Sequence, residues 1–153
     1  MTLDSTAREA NIWDSIKKYF IDNLSYSVMF DKALSAPNIR GKLVDRWVAF
    51  VLDDVVMGDL STIMLSVYCC TRQDNEWHKL SQVRDTVYDL LIDTTKTDTM
   101  RRIPFYASAP APTAWTLIGT LMIDEITESP RMEAEDETKF KVIHVRLRTA
   151  SKV

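Results

Sequence analysis

The stretch Arg46 to Cys70 (RWVAFVLDDVVMGDLSTIMLSVYCC) constrains this chain more than any other. Two runs dense in Val, Ile, Leu, Phe and Met flank Met57-Gly58-Asp59, a short turn signal. Runs of this length and composition, split by a turn, predict an antiparallel hairpin with strands over Arg46 to Leu52 and Ser61 to Arg72. Side chains alternate in a strand, so Ile63, Leu65, Val67 and Cys69 fall on one face. Thr62, Met64, Ser66, Tyr68 and Cys70 fall on the other.

That alternation bears directly on Cys69 and Cys70, the two cysteines of the chain. Neighbours in a strand point apart, so the pair neither bridges easily nor converges on one metal. They are expected to be packing residues. Thr71 to Asp74 then leaves the strand, and Asp74 is the expected N-cap of a helix over Asn75 to Asp93. Leu80, Val83, Val87, Leu90 and Leu91 form its apolar stripe.

A first amphipathic helix precedes the hairpin. Thr6 and Glu9 have capping-box spacing, and Ile12, Trp13, Ile16, Tyr19, Phe20 and Leu24 recur every three or four residues. A short strand is expected over Ser25 to Lys32. Further strands are expected over Arg102 to Ala107, Trp115 to Thr127 and Lys139 to Thr149. Ala107 to Thr113 reads as a proline-interrupted connector and Glu128 to Thr138 as an acidic loop. The fold class is therefore α+β: a single domain over residues 1–153, with a mostly antiparallel sheet covered on one face by two amphipathic helices.

Composition excludes several functions. Apolar residues make up 46% and charged residues 27% of 153 positions, which suits a globular core. A net charge of −3 does not suit a dedicated duplex-DNA binder. Three dispersed glycines, Gly41, Gly58 and Gly119, leave no phosphate-cradling loop. Met1 to Arg8 lacks a signal-peptide pattern and no apolar run is long enough to span a bilayer, so folding in a reducing cytoplasm is expected.

Catalytic spacing is sparse. His78 and His144 form no metal motif, and no cofactor or metal site is expected. The candidates weighed are a Cys70/His144 dyad and the Asp53-Asp54 carboxylate pair, with ordinary packed or solvated residues the better account of each. In an unbroken strand Asp53 and Asp54 point to opposite sides. The acidic run Glu133, Glu135, Asp136 and Glu137 reads as a solvated loop, or as a channel lining that repels nucleic-acid phosphates. Arg146 and Arg148 on the last strand are its possible basic counterpart on a neighbouring subunit. Four tryptophans favour an interface.

The N-terminal helix, the block RWVAFVLDDVVMGDLSTIMLSVYCCTRQDNEW, the helix ending Val87 to Leu91 and the closing strand KFKVIHVRLRT together resemble the tail terminator proteins of long-tailed bacteriophages. Loose strand and helix patterns carry the resemblance across most of the chain, with no fixed catalytic residues. Ala107 to Thr113 and Glu133 to Glu137 stand out from it as local insertions. The resemblance implies an α+β subunit of a homo-oligomeric ring, usually a hexamer, at the head–tail neck of the virion. The ring caps the tail tube, stops its polymerisation and meets the head connector, with DNA passing through the hole and no membrane involved. It implies assembly in the host cytoplasm and no enzymatic activity. Alternatives are another neck, head-closure or tube component, a small cytosolic enzyme, or a monomeric adaptor.

Overall fold

The computed structural model describes residues 9–24, 26–30, 38–39, 42–43, 45–56, 60–74, 76–93, 99–107, 116–134 and 137–150. Helix α1 spans Glu9–Asn23 and α2 spans His78–Leu91. The strands are β1 (Ser27–Phe30), β2 (Asn38–Ile39), β3 (Lys42–Leu43), β4 (Arg46–Val56), β5 (Leu60–Thr71), β6 (Ile92–Asp93), β7 (Thr99–Met100), β8 (Arg102–Ala107), β9 (Thr116–Glu128), β10 (Met132–Glu133) and β11 (Lys139–Ala150).

The main sheet runs β1-β4-β5-β11-β9-β8, with β10 paired to β11, and curves as a half-barrel. Its pairings are antiparallel except β1 with β4, which is parallel. The architecture is α+β, as the alternation predicts. The β4–β5 hairpin forms as expected, with β4 running four residues further, to Val56. Its turn, Met57 to Asp59, lies outside the described residues, as do Trp115, the Ala107–Thr113 connector beyond Ala107, and the Thr6 half of the capping box.

One cluster of buried side chains joins the elements. Ile12, Ile16, Phe20 and Leu24 form the stripe of α1, and Leu80, Val83, Val87 and Leu91 that of α2. They pack with Val48, Phe50, Ile63, Leu65, Val67, Cys69, Ile143, Val145 and Leu147, alternate residues of three neighbouring strands. Each large side chain so buried contributes roughly 1.5–3 kcal/mol against leaving it in water. The rings of Phe20 and Phe50 lie 4.4 Å apart. Helix α2 rests on β5, β4 and β11, whereas α1 rests on β8 and also touches β1, the two ends of the strand path. Tyr19 donates its hydroxyl to the Leu90 carbonyl at 2.6 Å, tying α1 to the end of α2. Burial pushes that phenol's pKa up.

The closing strand β11 lies between β5 and β9, at the middle of the sheet, and β5 is likewise enclosed, so neither offers an edge to a neighbour. Alternating hydrophobicity reports that a strand is half-buried but not its place in the strand order. The edge strand β8 is also guarded. Ser15 Oγ accepts the Tyr106 N–H at 2.9 Å. Alternate backbone donors share a side, so Pro104, with no N–H, holds the next outward position.

Helix α2 starts later than predicted. Gln73 and Trp77 adopt left-handed backbone angles (φ 56° and 63°), and Trp77 occupies the N-cap position without a side-chain bond. Asp74 still caps the helix, from outside it. Its carboxylate accepts the N–H groups of Lys79 (3.2 Å) and Leu80 (2.9 Å) and the Thr71 hydroxyl (3.2 Å). Burial alone would raise the Asp74 pKa; these bonds and the Lys139 charge outweigh it and hold the carboxyl below its ordinary value.

Candidate functional site

The most organised polar surface lies on the side of the sheet away from the helix-packed cluster. Two β-bulges build it. Along β4, Leu52 pairs with Leu65 and Val55 with Ile63, so Asp53 and Asp54 together oppose Met64. Along β9, Ile126 pairs with Val145 and Ile123 with Leu147, so Asp124 and Glu125 together oppose Arg146. Leu52, Val55, Ile123 and Ile126 all belong to or pack on the core cluster. Each acidic pair is therefore set off the core as a pair. This corrects the reading of Asp53 and Asp54 as pointing to opposite sides: the extra residue resets the alternation.

The bulges share one row. Met64 pairs with Arg146, so Asp53 and Asp54 flank one side of the Met64–Arg146 pair and Asp124 and Glu125 the other. Arg146 holds Asp124 at 2.6 Å and Glu125 at 3.2 Å. Arg148 Nε, itself buried, faces Asp124 at 3.0 Å as an ion pair outside hydrogen-bond alignment. Both arginines thus have acidic partners within their own chain.

One row along, His144 pairs with Ser66 across β11 and β5. The Ser66 hydroxyl, almost fully buried, donates to Asp53 and lies 3.2 Å from His144 Nδ1. The residue types are those of a hydrolytic triad, but the order differs. A nucleophilic serine gives its proton to histidine, and a carboxylate holds the far side of the imidazole. Here serine sits between the two and donates its hydroxyl hydrogen bond to the carboxylate, not to histidine. The arrangement fixes Asp53 and His144 in place and leaves the hydroxyl buried.

The Cys70/His144 dyad does not form. Cys70 pairs with Phe140, four residues from His144 and so roughly 13 Å along the strand. Both cysteines are free and fully buried, Cys69 within the core cluster and Cys70 outside it. Burial pushes the Cys69 thiol up to about 12 and Cys70 higher still, far from reactive thiolates.

The acidic run is partly placed. Glu133 ends β10 and is exposed; Glu137 is exposed with a left-handed backbone (φ 65°) in the Ala134–Thr138 turn. Glu135 and Asp136 lie outside the described residues. Among the described residues no three His, Cys, Asp or Glu side chains converge as a metal site, and no helix is long and apolar enough to cross a membrane.

Sequence reasoning missed Ser66, Asp124 and Glu125, and also the network around Arg84 of α2. There Arg84 makes a bidentate bond to Glu128 (2.6 and 2.9 Å) and a 3.0 Å bond to Asp85. The Glu128 bond comes first among the causes that raise the Arg84 pKa, and its counterpart lowers that of Glu128.

No family model matches the chain, and no curated protein matches it. One solved structure superposes with a TM-score of 0.55 over 92% of this chain and 97% of its own, at 9% identity. Agreement at that identity establishes a shared fold over nearly the full length of both chains, and a fold alone does not fix a function.

Proposed function

We propose that this chain is a structural subunit of a bacteriophage neck: a tail terminator whose copies close into a ring, six in number, on the end of the tail tube. In this reading the ring stops tube growth and presents a surface to the head connector, and DNA passes through the hole without sequence-specific contact. The work is done by assembly, with no chemical step, in the virion and in the host cytoplasm where it is built. The two helices cover one face of the sheet, and the bulge end of the opposite face, where Asp53, Asp54, Asp124 and Glu125 are exposed, is left for contacts.

The observation that carries the reading is the outer row of Asp53, Asp54, Arg146, Asp124 and Glu125. A surface of pre-ordered charges suits recognition of a fixed neighbour, because side chains already held lose little freedom on docking. The closed β8 edge agrees with it: a subunit that must stop at a defined ring gains from blocking open-ended strand addition. The exposed Glu133 and Glu137 suit a lumen that repels phosphates.

Purified protein added to polymerising tail-tube subunits tests the proposal by electron microscopy. Tubes that stop growing and carry a ring at one end are expected. Unchanged growth with bare ends contradicts it.

A further inference from the structure

The first two turns of α2 and the adjoining β10–β11 side enclose a cleft of about 320 Å³, lined by Leu80, Ser81, Arg84, Asp85, Arg131 and Lys141. Three cationic residues line it. Arg84 is fixed: two of its nitrogens bond Glu128, a third bonds Asp85, and its guanidinium stacks 3.9 Å from the Tyr88 ring. Three of its five N–H donors are committed within the chain, one from each nitrogen. Lys141 is different. Its Nζ stands 3.6 Å from Glu128, and an ammonium has three N–H groups, so at least two point elsewhere. Arg131 is exposed, with its guanidinium 5.9 Å from the Trp77 ring, a contact that uses none of its five donors. Ser81 adds a hydroxyl and Leu80 an apolar floor. Against the three cations stand two carboxylates, Asp85 and Glu128, so the cleft has one positive charge in excess.

We infer that this cleft binds a single oxyanion group between Arg131, Lys141 and Ser81, with the locked Arg84–Glu128 pair as its wall. Arginine, lysine and serine side chains lining one cleft offer donors that suit the several lone pairs of a carboxylate or phosphate. The group arrives either as free phosphate or on the acidic side chain of a partner protein. The inference stands apart from the ring proposal, since none of the cleft's lining residues belongs to the bulge row.

The test is an NMR titration of the isotope-labelled full chain at constant ionic strength, with inorganic phosphate in one arm and a short glutamate-rich peptide in the other. Saturable shifts are expected at Ser81, Lys141 and the Arg131 side-chain N–H. They should weaken roughly ten-fold in an R131A/K141Q variant whose remaining spectrum is unchanged, since charge-assisted bonds dominate such a site. Saturation by phosphate alone identifies a free anion, and saturation by the peptide alone a partner's side chain; either supports the site. Shifts that never saturate, that centre on other residues, or that persist in the variant overturn it. Should the variant not fold, the location and saturation of the shifts in the unaltered protein decide.

Discussion

Asp74 and Leu80 are joined across the start of a helix to which Asp74 does not belong: the carboxylate accepts the Leu80 N–H at 2.9 Å from six residues away. The same carboxylate takes the Lys79 N–H, while Lys139 Nζ donates to the Asp74 carbonyl, so the strand exit, the helix start and β11 meet at one residue. A helix begins with unsatisfied N–H groups, and here a turn of two left-handed residues swings the cap into place.

Removing that cap should be costly. Asp74→Ala is expected to lower stability by about 1–2 kcal/mol in urea denaturation. Asp74→Asn, which keeps an acceptor, should cost less. A loss within error for the alanine variant contradicts the capping role.

The pH dependence follows in sign from the same residue and from Glu128. Both carboxyls titrate below their ordinary values when folded: at Asp74 the hydrogen bonds outweigh burial, and at Glu128 the Arg84 bond is the main cause. Their contribution is present above the unfolded values of about 4 and is lost as pH falls through the lower folded values. Denaturation from pH 7 to 2 should show this decline, reduced in Asp74→Asn and in Glu128→Gln. In a double-mutant cycle, Arg84 and Glu128 should couple by about 0.5–1 kcal/mol, as a partly exposed pair.

The bulge in β4 predicts opposite outcomes for adjacent residues. Val55→Asp places a charge against the core and should cost about 2 kcal/mol or more, whereas Asp54→Val should fall within about 0.5 kcal/mol of the parent. An unbroken strand, with Leu52 inward, would put Val55 outward and Asp54 inward, and predicts a near-neutral Val55→Asp and a stabilising Asp54→Val. Thermal denaturation of the two variants distinguishes the cases.

Cys69 and Cys70 should be inert in the native protein. Burial raises both thiols far above neutrality, so a thiol reagent at pH 8 should label them only as fast as the chain opens, and both promptly in denaturant. Prompt labelling without denaturant contradicts the packing described.

What could be read from sequence was local. The stripe Ile12, Ile16, Phe20 and Leu24 and the alternation through Ile143, Val145 and Leu147 report burial directly, since period follows from backbone geometry. The parallel pairing of β1 with β4 and the central place of β11 depend on partners far along the chain, which periodicity does not encode. The bulges did leave a mark. Leu52-Asp53-Asp54-Val55 and Ile123-Asp124-Glu125-Ile126 share one pattern, two acids between apolar residues, that breaks a two-residue period and signals an extra residue. Ser66 left none: its contacts with Asp53 and His144 arise from register across three strands. Asp74 was legible as a cap, but the offset of its helix was not, because Trp77 is no ordinary residue for a left-handed position.

Self-assembly is the central claim, and the solution mass tests it most directly. Light scattering of the purified protein, alone and mixed with tail tubes, with negative-stain images of both samples, gives that mass and its shape. The account predicts a particle of about six times the 17.6 kDa chain with a central hole, free or on tube ends. A 17.6 kDa monomer in both samples, with bare tube ends, would contradict it.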